Sequence, residues 1–455
     1  MNTVDSGTFV KYSFKYVIVK LPRGETAMKA LIISDCEYKT AVFGTVYEQV
    51  VHVLEQKGYE ITSKTADSSI RTCTGCYGCW VRTPGECVIR DDMEDINRQF
   101  IASDVVVFVS PVIFGHFSAN IKNVLDRTLP RLLPFFIKKQ DGSTVHPLRY
   151  KKNPKTVIIG YGSGLDDEDV RLFTAITTVH HPERPVCVCQ GTGDDEKIAA
   201  LFEEPSAEPV QTAGVRTYAA AAEAYGKEDS ADRRKRVVFV NGSPRSQDQT
   251  ASAAFIARAE PQFDDALFEK HTVQVRKALR GSPEEAFEHI RGADAVVFVF
   301  PLYTFCLPGM LARFLQDYAA YTGRNGTAEH RTAVYAVINC GFPEPYINEE
   351  AADVIRSFCT HTGMEYRSAV FIGAGVMMST VQKAPPVQKA LQKLDAAFAA
   401  MAEDCRSDGT VHAADARIAP AFPRRLFYFF GGLNWKKTAK QNGLTEKDLY
   451  RRPYN

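Results

Sequence analysis

Apolar positions along the chain gather into ten short runs, separated by stretches with helical spacing. In the first half the runs begin near Lys29, Tyr59, Val105, Thr156 and Pro185; in the second, near Val237, Ala266, Ala295, Ala333 and Ser368. Runs such as 105–109 and 296–300 are apolar throughout rather than alternating, which predicts parallel strands covered on both faces. One run repeats. Asp104-Val-Val-Val-Phe-Val-Ser-Pro111 returns 190 residues later as Asp294-Ala-Val-Val-Phe-Val-Phe-Pro301, with six of eight positions identical. Each copy leads into a helix-like segment, Asn120-Ile-Lys-Asn-Val-Leu-Asp126 in the first and Met310-Leu-Ala-Arg-Phe-Leu-Gln316 in the second. Five strands alternating with helices, twice over, predict two doubly wound α/β domains.

The charged stretch 226–235 has no apolar period and reads as a surface linker. The expected units are residues 28–228, residues 235–405 and a C-terminal extension, 406–455. Two insertions, 72–92 and 129–155, depart from a minimal domain of this class. From Arg424 onward the tail has eight Lys or Arg against two acids, and it is expected to pack across the domain surface. Residues 1–27 precede the first clean strand and are read as an extension.

Composition narrows the class. With 45% hydrophobic and 24% charged residues, each domain can bury a core, and a net charge of +1 gives no argument for nucleic acid as a partner. No apolar run approaches the ~20 residues of a membrane span. Lys11, Lys15 and Lys20 interrupt the apolar positions near the N-terminus, so no export signal is expected and the 11 Cys read as cytoplasmic thiols, ligands or core residues.

The second half carries a candidate anion site. In Val237-Val-Phe-Val-Asn-Gly-Ser-Pro-Arg-Ser-Gln-Asp-Gln-Thr250, a strand leaves through Gly242 into a turn and then a helix, whose free N–H groups favour an anion. Ser243 and Thr250 offer hydroxyls and Arg245 a charge-assisted contact. This segment, with Pro244 and Gln249, resembles the FMN phosphate loop of the flavodoxin-like, NADPH-dependent FMN reductases. Pro301-Leu302-Tyr303-Thr304 resembles that family's isoalloxazine-contacting loop, and Cys340-Gly341-Phe342, after Asn339, its second ring-contacting segment. The resemblance implies a five-stranded sheet of order 2-1-3-4-5 in each half, FMN bound in residues 236–404, and NAD(P)H as co-substrate. Where the family usually has Gly-Asn before the threonine, this chain has Asp248-Gln249, so Asp248 is expected to face solvent or to be compensated by Arg245.

The first half lacks such a turn. Its equivalent, beginning Ser34-Asp-Cys-Glu-Tyr-Lys-Thr40, sets Asp35 and Glu37 against an anion. It carries instead Cys73, Cys76, Cys79 and Cys87, spaced C-x2-C-x2-C-x7-C, with Gly75, Gly78 and Gly85 to let a short loop fold around one centre. Three readings stand: a cluster, free or reversibly paired thiols, and a structural zinc. The segment resembles the iron–sulfur flavoproteins, which implies these four cysteines as ligands of a [4Fe–4S] cluster, although Trp80 puts an indole beside the third. The two halves are complementary and read as a dimer fused into one chain, with further homodimerisation left open. The expected function is an FMN-dependent NAD(P)H oxidoreductase or electron-transfer flavoprotein passing electrons to a small molecule or a redox protein. The alternative is a thiol- or cluster-based redox sensor on a vestigial fold. The cysteine loop is expected to face the cleft of the other half, with Tyr77 or Trp80 at the ring edge.

Overall fold

A computed structural model describes residues 27–454, apart from 141, 180, 192–193, 204–232, 246–249, 305 and 329. The linker 226–232 and Gln249 therefore lie outside the described residues, as does Asp248. The first domain has strands β1 (Lys29–Asp35), β2 (Glu60–Ala66), β3 (Val105–Ile113), β4 (Lys155–Tyr161) and β5 (Val186–Cys189). They pair in parallel in the order β2-β1-β3-β4-β5. The second domain has β6 (Lys235–Asn241), β7 (Phe268–Gln274), β8 (Ala295–Pro301), β9 (Ala333–Asn339), β10 (Glu365–Ile372) and β11 (Ala416–Ile418). Its order is β7-β6-β8-β9-β10-β11, again all parallel. The runs that are apolar on both faces, in β3 and β8, sit at the middle of their sheets and are buried along their length apart from the last residue of each.

Three features of the sheets differ from expectation, the first being a short antiparallel strand, His116–Phe117, that pairs with the end of β3. The second sheet has six strands, because the C-terminal segment returns and adds β11 beside β10. In addition, β10 begins at Glu365 rather than near Ser368: its polar first residues pair with Ala333 and Val334 ahead of a register shift at Val334/Tyr335.

The helices that matter for the site are α1 (Ala41–Gln56), α2 (Gly78–Val81), α3 (Ala119–Asp126), α4 (Ala251–Ala259), α5 (Gly309–Asn325) and α6 (Arg424–Gln441). Helices α3 and α5 follow the repeated strands and pack on each other, so that Ile121 and Val124 share one continuous core with Leu311, Phe314 and Leu315. Contact is close at Gly309, where a Cβ would lie 2.3 Å from the Asn123 side-chain oxygen. Nothing larger than hydrogen fits there.

Both insertions of the first domain meet the tail. The Trp80 indole donates to Leu132 O at 3.0 Å and packs edge-on against Trp435 of α6, with ring centroids 5.2 Å apart. Buried Arg149 gathers four carbonyls, donating to Pro130 (2.7 Å), Leu132 (3.1 Å), Leu449 (2.7 Å) and Arg451 (2.9 Å). A guanidinium presents five N–H groups in a planar fork, which suits it to tie separate backbones together.

Candidate functional site

The carboxyl ends of β6, β8 and β9 lie side by side in the second sheet. At the end of β6, Asn241 accepts from the Ser243 N–H at 3.0 Å, which folds the chain into a tight turn. Gly242 is required in that turn, since a Cβ would meet Phe300 and Leu311 at 2.9 Å. Ser243, Pro244 and Thr250 are buried. The Thr250 hydroxyl caps α4, accepting from Ala253 N–H at 3.0 Å, and the Ser243 hydroxyl accepts from Arg245 N–H at 3.4 Å. Both hydroxyls accept in these contacts, so each retains its own proton to donate. Two buried O–H donors beside the N-terminus of a nine-residue helix fit a phosphate.

Arg245 does not fold back over this turn. Its Nε donates to the carbonyl of Gly75, in the cysteine loop of the first domain, at 3.0 Å, and the guanidinium lies 5.4 Å from the centre of the Tyr77 ring.

After β8, Leu302 N–H donates to Asn339 O at 2.8 Å, and Tyr303 and Cys306 exchange backbone hydrogen bonds of 2.8 and 3.0 Å. Thr304 takes a left-handed conformation, φ 44°. The first domain supports this loop from below: the Lys122 ammonium donates to Tyr303 O at 2.8 Å and pairs with Asp126, whose carboxylate also accepts from Gly309 N–H (2.8 Å) and from the Thr304 side chain. The Tyr303 ring fills the space above Gly75, where a Cβ would fall 1.8 Å from its hydroxyl oxygen. After β9, the Cys340 thiol turns into the core toward Phe342 O (3.3 Å), and burial pushes it up to about 12. The Cys340 backbone is tied within the domain, its N–H donating to Ile372 O (3.0 Å) and its carbonyl accepting from Gly375 N–H (2.8 Å), and the space where a Gly341 side chain would stand is open. Phe342 packs against His146 and Phe136 of the second insertion, at 5.2 and 6.0 Å.

The cysteine loop therefore reaches the ring loop of the other domain through Gly75 and Tyr77. Trp80, on α2, is fully buried among Tyr77, His146 and Trp435 and is not available to a ring edge. Of the four thiols, Cys79 is buried, Cys76 is exposed, and Cys73 and Cys87 are partly exposed. Burial first, and the Asp126 carboxylate second, pushes Cys73 up to about 12. Cys79 is raised well above its ordinary range by burial, and then by the charges of Cys73, Cys87 and Cys76, so all four lie within electrostatic reach of one another. Among the described residues no three Cys, His, Asp or Glu side chains converge tightly enough to hold one metal ion. Four cysteines close together in one loop are a donor set of the kind that iron–sulfur centres use.

Arg127, which sequence reading passed over, fixes the ends of this loop. Buried beneath it, Arg127 donates to Arg71 O (2.6 Å) and Ile89 O (3.2 Å) and binds the Asp91 carboxylate through both Nη atoms, at 2.9 and 2.8 Å. The only sequence signal was its position just past the repeated helix, beside Asp126.

The corresponding turn of the first domain is filled by its own side chains. Asp35 is buried, accepting from Glu37 N–H (2.7 Å), from Ser118 and from Asn120. Glu37 forms a two-pronged ion pair with Arg313 of α5, both contacts at 2.9 Å. Lys39 is turned to the Ser34 hydroxyl, and Thr40 caps α1.

Residues 28–145 match the family of NADPH-dependent FMN reductases, and residues 235–398 match the flavodoxin-like fold family. The reductase match thus falls on the half with the cysteine loop, and the broader match on the half with the Ser243 turn. The chain is 36% identical over 104 residues to an iron–sulfur flavoprotein of Archaeoglobus fulgidus, covering 23% of this chain and 46% of that protein. It is 28% identical over 119 residues to one from Methanocaldococcus jannaschii, covering 26% and 61%. The chain spans about half the length of the curated relatives it matches. A solved NAD(P)H:quinone oxidoreductase from Methanothermobacter marburgensis aligns at 16% identity and a TM-score of 0.28, over 37% of this chain and 96% of that one. The strand order and the two family matches give the fold as two flavodoxin-like domains.

Proposed function

We propose that this chain of two flavodoxin-like domains is an FMN-dependent NAD(P)H oxidoreductase that serves a small-molecule or protein electron acceptor. The observation that carries the reading is the buried Ser243 and Thr250 hydroxyl pair at the end of β6, in the same sheet as two strand-end loops that meet the first domain, the β8 loop at the cysteine loop through Tyr303 and the β9 loop at the second insertion through Phe342. Bound FMN would supply hydride acceptance and electron transfer. Ser243 and Thr250 would donate to its phosphate, with Arg245 nearby; Gln249 is assigned to the same loop from the sequence alone. Residues Pro301, Leu302, Tyr303, Thr304, Gly341 and Phe342 would orient the ring, with Cys340 anchoring their turn to the domain. Lys122 holds the Tyr303 carbonyl from below and so fixes the loop that would bear the ring.

Cys73, Cys76, Cys79 and Cys87 would hold a [4Fe–4S] cluster. The loop that carries them touches Tyr303, so the two redox sites would lie on either side of one domain contact. We assign the first domain to 28–228 and the second to 235–405. The tail, 406–455, joins both, through β11 on one side and α6 on the other. The 11 cysteines are all free of disulfides, which supports a reducing, cytoplasmic setting. No helix among the described residues is long and apolar enough to cross a membrane.

The test is protein purified without oxygen, assayed for iron and released flavin, and then titrated with NADH and NADPH. Flavin absorbance that bleaches with either nucleotide supports the reductase. Bound flavin that neither nucleotide reduces leaves an electron carrier. A colourless protein with no flavin sinks the reading and favours the thiol- or cluster-based sensor.

A further inference from the structure

Helix α6 is apolar on two opposite faces, and among the described residues only one of them packs on the rest of the protein. The inner face carries Phe427, Tyr428 and Trp435. Phe427 and Tyr428 pack on Phe136 (5.5 and 5.9 Å), the Tyr428 hydroxyl bonds Thr144 at 2.7 Å, and Trp435 lies on Trp80 and Tyr77. The outer face is formed by Leu426, Phe429, Phe430 and Leu433, spaced i, i+3, i+4 and i+7, with exposures of 45%, 59%, 53% and 45%. Lys437 and Lys440 continue the same face at i+11 and i+14, and both are exposed. Four neighbouring large apolar side chains left in water on one helix are a patch rather than scattered surface residues.

Charge identifies what covers it. Helix α6 contains Arg424, Arg425, Lys436, Lys437 and Lys440 and no acid. Arg424 is paired with Glu344 and Lys436 with Glu446, while Arg425, Lys437 and Lys440 make no ion pair among the described residues. A second copy laid on the same face would set one run of cations against another, so the patch is not complementary to itself. An apolar stripe bordered by basic side chains, on a helix too polar to insert, matches the interface of a bilayer bearing anionic lipid.

We propose that α6 docks this protein on an anionic membrane surface, with Leu426, Phe429, Phe430 and Leu433 entering the headgroup boundary and Arg425, Lys437 and Lys440 meeting lipid phosphates. The inner face of the same helix holds Trp80 and Tyr77, so a docked molecule would present its cysteine-loop side to the bilayer.

Co-sedimentation of the full chain tests this, with vesicles of phosphatidylcholine alone and of equal parts phosphatidylcholine and phosphatidylglycerol. Binding is expected to the anionic vesicles, falling as salt rises. The Lys437→Gln, Lys440→Gln variant should bind about 25-fold more weakly, at roughly fivefold per basic residue. The Phe429→Ser, Phe430→Ser variant should also lose binding while keeping the circular dichroism spectrum of the parent, since both side chains are exposed. Three outcomes overturn the proposal: no binding to anionic vesicles at low salt, equal binding to both vesicle types, or a concentration-dependent dimer in sedimentation velocity that the Phe429→Ser, Phe430→Ser variant abolishes. The last would give the face to a second copy of this chain.

Discussion

Asp126 at the end of α3 accepts a 2.8 Å hydrogen bond from the backbone N–H of Gly309, the first residue of α5 in the other domain. The reverse contact also exists: Gln316 of α5 accepts from the N–H of Ala119, the first residue of α3, at 3.3 Å. Each acceptor stands seven residues into its own helix, at matching positions of the repeat. Each helix thus satisfies an otherwise unpaired N-terminal amide of its counterpart. This is the exchange expected across a two-fold axis, here built inside one chain.

The two halves of that exchange differ in charge, and stability should reflect it. Asp126 also neutralises buried Lys122, so Asp126→Asn leaves an unpaired ammonium in the domain contact. Losing one partner of a buried pair costs about 3–5 kcal/mol. Gln316→Ala removes one long neutral hydrogen bond, about 1 kcal/mol. Urea unfolding of the two variants checks the ratio; equal losses would contradict it.

For the proposed phosphate contacts, the Ser243→Ala, Thr250→Ala double variant should lower FMN affinity by a factor on the order of 100, from two charge-assisted hydrogen bonds. Thr250 also caps α4, and losing a cap costs about 1 kcal/mol of stability. Thr250→Ser keeps cap and donor alike and should bind flavin like the parent. Fluorescence titration of the apoprotein measures both. Parent-like affinity in the double variant would remove these residues from the site.

The first domain should take no second FMN. Asp35 lies in its turn and Glu37 carries the Arg313 pair there, so an incoming phosphate would meet two carboxylates. Unit charges ~4 Å apart repel by about 4 kcal/mol at an intermediate dielectric. One released flavin per chain is expected; two would refute the asymmetry.

Arg127→Met should free both ends of the cysteine loop and take from the Asp91 carboxylate its two-pronged partner, leaving it the longer Arg71 contact at 3.7 Å. A loss of about 3–5 kcal/mol is expected, as for other broken buried pairs. Iron content of protein purified without oxygen should fall with it, while flavin content should fall far less, because the Ser243 turn lies in the other domain. Iron retained at the parental level would separate the clamp from the cysteine centre.

Among the histidines held below their ordinary value, His116 and His146 are shifted furthest and set an acid limit. Burial, with Lys122 adding to it, holds His116 down at about 3; burial holds His146 down at about 4. Both stay neutral in the fold, while in the unfolded chain they protonate near 6.5. The unfolded state therefore binds more protons below that pH, and stability falls as pH falls. Each site contributes about 1.4 kcal/mol per pH unit between about 6.5 and its folded value. Urea midpoints measured from pH 7 to pH 5 should drop, and His146→Gln should flatten the slope by one histidine's contribution, about 1.4 kcal/mol per pH unit.

Much of the architecture was legible because strand and helix signals are local. The uninterrupted apolar runs of β3 and β8 marked central strands, and Gly242 followed by Ser243 marked the turn. Where polar residues open a strand, as at Glu365, the pattern hid its start, because pairing with Ala333 and Val334 rather than hydrophobicity extends it. Trp80 was misread for a related reason. An aromatic residue beside a cysteine motif looks like a ring contact until Trp435, hundreds of residues later, is seen to cover it.

The sequence by itself determined the ten strands of the two domains, the repeat that relates them, and which half carries the cysteine spacing and which the hydroxyl turn. These follow from periodicity and residue type over windows of a few residues. Tertiary structure decided what those pieces meet: Tyr303 over Gly75, Arg245 reaching the Gly75 carbonyl, Arg127 beneath the cysteine loop, Arg149 on the carbonyls of Leu449 and Arg451, and the tail returning as a sixth strand and a two-faced helix. Each of these contacts joins segments far apart in the chain through one fitted shape or one hydrogen-bonding fork. Neither leaves a periodic mark on the residues that form it, so only the folded chain brings the partners into view.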